Sequence, residues 1–411
     1  MSFPATWPST FSVQGNPDWY DEQWLYRKSI TIESDKVGSP LTNFPVFVRA
    51  DLLGSHFLAN VTHGGSEIRI TNTAGSQVPR EIVEVRADGG EIHFLADSIS
   101  DTTDTTFWIY YGNSSGSVDL AYDSAYGRNA VWTDYYNVTH FNELPGSIID
   151  STGSVEVGSA RNYGSIPDEN FNGSYGIFSG SSLYINGADK GINFPFPAIG
   201  QVPFSFIVWY KSIYTTATNN QSPIFAIGRL ASTSSNWQLR LNNNSTYPNE
   251  VGYYHQTYSS LNQTAPLPGS WFWDQEWMTT QGTSIGNTTG NGDLALYTNG
   301  SWHTYPEDVV STFNISAAGS ISYGDDQKLS SATVREIYFD EGRVRRGVVG
   351  SEQLKIEYDS VYNIESFLAV GSVQSVYSKR INSNSYITGR DTITSRSEIS
   401  ELIWYTGDNN G

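Results

Sequence analysis

A chain of 411 residues with 23 Lys and Arg against 42 Asp and Glu has a formal net charge of −19, and such a field repels nucleic acid and anionic membranes. The absence of Cys excludes disulfides and thiolate metal sites, and the length calls for more than one hydrophobic core. Aromatic residues make up 14% of the chain, and Gly, Ser, Thr and Asn dominate its polar fraction, a mixture that favours short strands and turns over long helices. Arg outnumbers Lys, and an acidic, Lys-poor surface suits high salt.

Residues 1–18 are rich in Pro, Ser and Thr and read as an extended arm. Met1–Trp7 has no basic region, and Pro4 and Pro8 interrupt any apolar run, so no cleavable leader is expected. A first domain with its linker is predicted over 19–125. Within it Ser29–Glu33, Glu67–Thr71 and Glu91–Phe94 alternate apolar and polar with period two, and Thr106–Tyr111 closes the set. This is the pattern of half-buried strands in a sandwich. Asp88-Gly89-Gly90 predicts a hairpin turn, with Gly supplying a positive φ. Gly112–Ala125 is a Gly-, Ser- and Asn-rich connection.

A second domain is predicted over 126–374. Its strand candidates include Phe204–Lys211, Trp237–Leu241, Leu294–Thr298 and Val334–Asp340, and Leu354 and Tyr358 share a face of a short helix over Ser351–Asp359. The most apolar stretch, Asn193–Tyr210, contains Pro195, Pro197, Pro203 and Gln201, so it is no membrane span. Residues 375–411 again read as extended. Their apolar residues, notably Tyr386, Ile403, Trp404 and Tyr405, need a surface to cover them, either another subunit as an assembly arm or the chain's own second domain.

Two resemblances follow from longer motifs. Trp24–Lys28 with Ile30–Ile32, Phe44-Pro45-Val46, Gly65–Ile70, Val78–Ile82 and Thr106–Asn113 resemble, in order and spacing, the uncharacterised β-rich domain that precedes concanavalin A-like modules in microbial and viral surface proteins. His140–Glu143 with Asp150–Gly153, Phe204–Lys211, Leu296–Gly300, Ile337–Glu341 and Gln353–Tyr358 resemble the laminin G-like, or concanavalin A-like, jelly roll. Gly342 and the basic run Arg343, Arg345 and Arg346 break the alternation expected after Glu341. The expected fold is all-β: two β-sandwich domains, the second a concanavalin A/laminin G-like jelly roll, with extended terminal arms. Such pairs imply binding and architecture rather than chemistry, although fold alone never fixes function.

No motif for catalysis emerges, and no enzyme is expected. Asp340 and Glu341 are adjacent, and neighbours on a regular strand point to opposite faces, so they are not expected to converge as a glycosidase pair. His56, His63, His93, His140, His255 and His303 are isolated in sequence and form no metal-binding spacing. Calcium is the expected cofactor if a metal binds, with Asn291, Asp293, Asp325 and Asp326 as loop donors of hard oxygen; solvated turn residues are the plainer reading. Trp271 and Trp273 beside Phe272, and the cluster Tyr253, Tyr254 and His255, are candidate platforms for stacking on sugars, with core packing the competing role. Asn-x-Ser/Thr sequons are frequent and include Asn60, Asn113 and Asn137.

Together these readings lead to an expectation of a non-enzymatic virion surface protein of a tailed virus. It would be a capsid decoration, spike or tail fibre-like protein, forming a homo-oligomer (trimer or pentamer), meeting other virion proteins and engaging host-surface glycans. The alternative is a secreted or cell-surface carbohydrate-binding adhesin module.

Overall fold

A computed structural model describes residues 19–113, 119–143, 148–153, 158–161, 176–178, 182–186, 191–196, 204–212, 220–228, 236–243, 250–255, 260–266, 278–284, 294–298, 301–305, 319–324 and 336–376. The first module opens with β1 (Tyr26–Ile32), β2 (Leu41–Arg49), β3 (Arg69–Asn72), β4 (Arg80–Arg86), β5 (Gly89–Ile99) and β6 (Thr105–Tyr111). The second module follows with β7 (Tyr135–Thr139), β8 (Ser159–Arg161), β9 (Leu183–Asn186), β10 (Gly191–Phe196), β11 (Phe204–Ser212), β12 (Asn220–Gly228) and β13 (Asn236–Asn243). It continues through β14 (Glu250–His255), β15 (Ser260–Pro266), β16 (Met278–Ser284), β17 (Leu294–Thr298), β18 (Ser301–Tyr305), β19 (Gly319–Tyr323) and β20 (Glu336–Arg346). Two short strands, β21 (Leu368–Val370) and β22 (Gln374–Ser375), come last. The α-helices are α1 (Gly54–Asn60), α2 (Arg128–Val131), α3 (Ser351–Tyr362) and α4 (Ile364–Phe367).

The chain is all-β in class, as expected. In the first module the sheet β21-β1-β6-β3, with β22 also on β1, faces the sheet β2-β5-β4. The predicted alternation is what builds this sandwich: Ile30, Ile32, Ile68, Ile70, Ile92, Phe94, Phe107 and Ile109 all enter its core. The β4–β5 hairpin sits where it was predicted, but its two turn residues are Ala87 and Asp88, since Arg86 pairs with Gly89. Gly90 instead makes room beside a bulge in β4, where a Cβ would lie 2.8 Å from Val85 Cα.

In the second module two antiparallel sheets face each other, β15-β14-β13-β12-β19-β10-β8 and β18-β17-β16-β11-β20-β7 with β9 on β20. Phe206 of β11 stacks on Phe225 of β12 at 5.2 Å across this core, and Tyr323 of β19 meets Phe141 edge-on at 5.0 Å. This is the jelly-roll arrangement.

β11 explains how the two modules join. Its sequence, Phe-Ser-Phe-Ile-Val-Trp-Tyr, is nearly continuous in apolar residues, as in a strand covered on both faces. Phe204, Phe206, Val208 and Tyr210 enter the jelly-roll core. Ile207 and Trp209, on the other face, enter the core of the first module. Trp209 there stacks on Tyr358 of α3 at 5.8 Å and meets Phe178 edge-on at 5.9 Å. Helix α3 runs three residues beyond its predicted end, and its Ile356 joins the same core.

The chain then returns to where it began. Leu368–Val370 had been assigned with the second domain, yet β21 pairs with Ile30–Ile32 of β1 and β22 with Tyr26 and Arg27. Trp19, Trp24, Tyr110 and Val376 form one small apolar cluster, with Val376 N–H donating to Leu25 O at 3.0 Å. Arg27 ties the cluster together. Its guanidinium lies 4.0 Å from the Trp108 ring centroid and 4.6 Å from that of Trp19, and it donates to Tyr110 Oη and Gln374 Oε1 at 2.8 and 3.0 Å. Arg27→Met is expected to cost about 2 kcal/mol by urea unfolding and to speed protease cleavage next to Val376. Of the sequons, Asn113 and Asn137 are each 1% exposed, so the folded chain offers neither for glycosylation.

Candidate functional site

The densest chemistry among the described residues lies between the modules. β5 presents Ile92 and Phe94 to its own core, and the sequence predicted a solvated opposite face. Instead Glu91 and His93 are 1% and 0% exposed. Cross-strand pairing puts His93 opposite Glu81 of β4 and Phe47 of β2, so these side chains share the face that the second module covers.

The second module contributes His140, Glu341 and Arg343. A β-bulge delivers two of them. β20 pairs Phe339 with Tyr210 but Glu341 with Trp209, so Asp340 is an extra residue. Before the bulge Ile337 and Phe339 face the jelly-roll core; after it Gly342 and Val344 do. Glu341 and Arg343 are thereby turned to the face of Trp209 and Ile207, toward the first module. The break in alternation read in the sequence after Glu341 is this change of phase. The Asp340 carboxyl is raised well above its usual range, first by burial and then by the Glu91 charge, with Glu341 contributing. Asp340 accepts from the backbone N–H groups of Ile177 and Phe178. His140 continues the register of β7, in which Thr139 pairs with Gly342, and so comes opposite Glu341.

His140 sits among three carboxylates. Its Nδ1 is 2.7 Å from Glu341 Oε2 and 3.0 Å from Glu91 Oε1, and its Nε2 is 3.1 Å from Glu81 Oε2. Glu81 also accepts from Trp132 Nε1 at 2.5 Å and from Ser151 Oγ at 2.6 Å. His93 Nε2 lies 2.7 Å from Glu91 Oε1, and its ring stacks on His140 at 5.1 Å. Arg343 Nε donates to Glu341 Oε1 at 2.6 Å, and its guanidinium lies over Trp132 at 4.9 Å. Two of the His residues that looked isolated in sequence, His93 and His140, are therefore brought together by the fold.

Burial works against every charge here, and the neighbours decide the outcome. Desolvation would lower His140, but Glu341, Glu81 and Glu91 together hold it well above the ordinary imidazole value. His93 is pushed well below its ordinary value, by burial first and then by the Arg343 and His140 cations, so it is neutral. Glu81 is disfavoured as an anion by burial, yet His140, Ser151 and Trp132 keep it below the usual range. Burial carries Glu91 up to about 7 despite His140. The ligand atoms of Glu91, His93 and His140 lie within 4.8 Å of one another, so this set is able to hold a cation.

Nearby Glu143 is also raised by burial to about 7, with one buried carboxylate oxygen unpartnered. A raised carboxyl binds more protons in the folded than in the unfolded state. Its contribution to stability is therefore complete below about pH 4.5 and is lost as pH rises through about 7. Glu143→Gln is expected to match the parent chain at pH 5 and to exceed its stability by on the order of 1–3 kcal/mol at pH 8, measured by urea unfolding at both pH values.

The sequence-predicted sites fall elsewhere. Tyr253, Tyr254 and His255 lie in β14, where they pair with Leu239, Gln238 and Trp237 of β13. Trp271, Trp273, Asn291, Asp293, Asp325, Asp326, Tyr386, Ile403, Trp404 and Tyr405 lie outside the described residues.

The fold and this centre define an all-β protein of two sandwich modules that share a core. No family model and no curated protein matches the chain. Similar solved structures include the binding domain of botulinum neurotoxin serotype D, 14% identical with a TM-score of 0.39 over 55% of this chain and 50% of that one. The serotype D ligand binding domain in complex with N-acetylneuraminic acid is 15% identical, with a TM-score of 0.40 over 57% and 52%. The type G receptor binding domain is 13% identical, with a TM-score of 0.34 over 55% and 51%. The chain spans about half the length of these structures. Among the described residues no helix is long and apolar enough to cross a membrane.

Proposed function

We propose that the chain is a non-enzymatic surface protein of a tailed virus, assembling as a homo-oligomer on the virion and engaging a host-surface glycan through its second module. The observation that carries this reading is the meeting of Trp19 and Val376, the residues bordering the two terminal segments, in one cluster on the first module. Trp19 and Val376 thus lie at one place on the first module, which supports anchoring through that module. The buried charges support a binding rather than a catalytic role. Glu81, Glu91, His140 and Glu341 are at most 5% exposed, so a solvent-borne substrate does not reach them.

Light scattering in high salt on the full chain and on a chain ending at Val376 tests the assembly, and a glycan array tests the binding. The expected result is a trimer or pentamer that falls to monomer on truncation and binds sialylated or other surface glycans without turnover. Monomers in both cases with retained glycan binding would favour a cell-surface adhesin module instead. Neither assembly nor binding would remove both readings.

A further inference from the structure

Glu91 Oε1 faces two imidazole nitrogens at once, His93 Nε2 at 2.7 Å and His140 Nδ1 at 3.0 Å, while Glu341 Oε2 closes on the same His140 Nδ1 at 2.7 Å. A single N–H on Nδ1 serves one of these two oxygens well, not both. The ligand atoms of Glu91, His93 and His140 lie within 4.8 Å of one another, a three-ligand set for a divalent transition ion, with Glu341 beside His140. We propose that Glu91, His93 and His140 bind one zinc-class divalent cation, and that this ion is a structural staple between the two modules.

Three features of the centre support this assignment. First, the ligand chemistry is mixed imidazole and carboxylate, which suits zinc and its first-row neighbours and not calcium or magnesium, which take oxygen ligands. Nitrogen and oxygen ligands about 2.0–2.1 Å from zinc stand roughly 3.3 Å apart, and Glu91 Oε1 already lies 2.7 Å from His93 Nε2 and 3.0 Å from His140 Nδ1. Second, His140 has a supporting shell. The other nitrogen of His140 faces Glu81, which is itself held by Trp132 and Ser151, and the second oxygen of Glu341 is held by Arg343. A carboxylate behind a ligating imidazole fixes its tautomer and orientation. Third, the charges close. With His140 neutral, as a ligand must be, the Glu81, Glu91 and Glu341 carboxylates face Arg343 alone, and a divalent ion makes the set neutral.

All three ligands are buried, so a solvent-borne substrate does not reach the ion. Two ligands come from β5 of the first module and one follows β7 of the second, so the ion bonds the modules directly.

Zinc is the probe that tests this. The full chain is refolded from denaturant with zinc chloride, dialysed against metal-free buffer, counted for metal by mass spectrometry and examined by X-ray absorption. About one zinc per chain is expected, with a first shell of nitrogen and oxygen that includes two imidazoles. His93→Gln should lose roughly tenfold or more in zinc affinity with its near-ultraviolet circular dichroism intact, while His56→Gln should keep the zinc of the parent. A folded parent chain that retains no zinc would overturn the proposal. So would a first shell without imidazole, or equal retention by His93→Gln. Should His93→Gln not fold, the imidazole count on the parent chain decides.

Discussion

Glu341→Ala is expected to destabilise the chain by about 3–5 kcal/mol, measured by urea unfolding in the presence of chelator so that only side-chain charges count. The carboxylate is 0% exposed and holds both Arg343 and His140. Its removal leaves a guanidinium without its Nε acceptor in a site that water does not reach, and it removes the acceptor nearest to His140 Nδ1. The cost is large because the charge left behind is desolvated, not because the pair itself is strong. The same reasoning predicts that replacing both partners, Glu341→Leu with Arg343→Met, costs less than Glu341→Ala alone. A single substitution below 1 kcal/mol would mean that the centre is open to water.

Gly342→Val should be comparably damaging, at about 3 kcal/mol or more, and Gly342→Ala somewhat less so. Gly342 faces the jelly-roll core opposite Val208, and a Cβ there would lie 2.6 Å from the Tyr323 hydroxyl and closer still to its ring. The ring cannot retreat. It is fully buried, it packs against Phe141, Phe225 and Phe339, and its hydroxyl donates to Asn137 Oδ1 at 2.9 Å. Gly342→Ala combined with Tyr323→Leu should therefore cost less than the sum of the two single changes, by about 1 kcal/mol or more in a double-mutant cycle. Simple additivity would show that the two residues do not meet.

These two residues also mark the limit of what was legible in the sequence. Period-two alternation located β1, β3, β5 and β6, and the continuous apolar run located β11, because both patterns arise from local geometry. The pairing of Glu91 and His93 with His140 and Glu341 had no local signature. His140 and Glu341 stand 201 positions apart, and what brings them together is a sheet register. The face of β5 that carries Glu91 and His93 reads as solvated in any single strand, since only the second module makes it interior. The bulge at Asp340 did leave a trace, in the glycine and arginines that follow Glu341, but a change of phase inside a strand reads as an interruption until its partner strand is known. A polar pair on a strand face, matched by a phase break far along the chain, is the signal that would have found the centre. The return of Leu368–Val370 to β1 was equally hidden, because a three-residue strand has too little periodicity to declare its sheet.

The shared core at Trp209 and the ionic centre at His140 should make the two modules one cooperative body. Differential scanning calorimetry of the full chain tests it most directly. One transition is predicted, with calorimetric and van't Hoff enthalpies that agree, and Glu341→Ala should shift that single transition to lower temperature. Two separable transitions in the parent chain, with only one of them moved by Glu341→Ala, would contradict it.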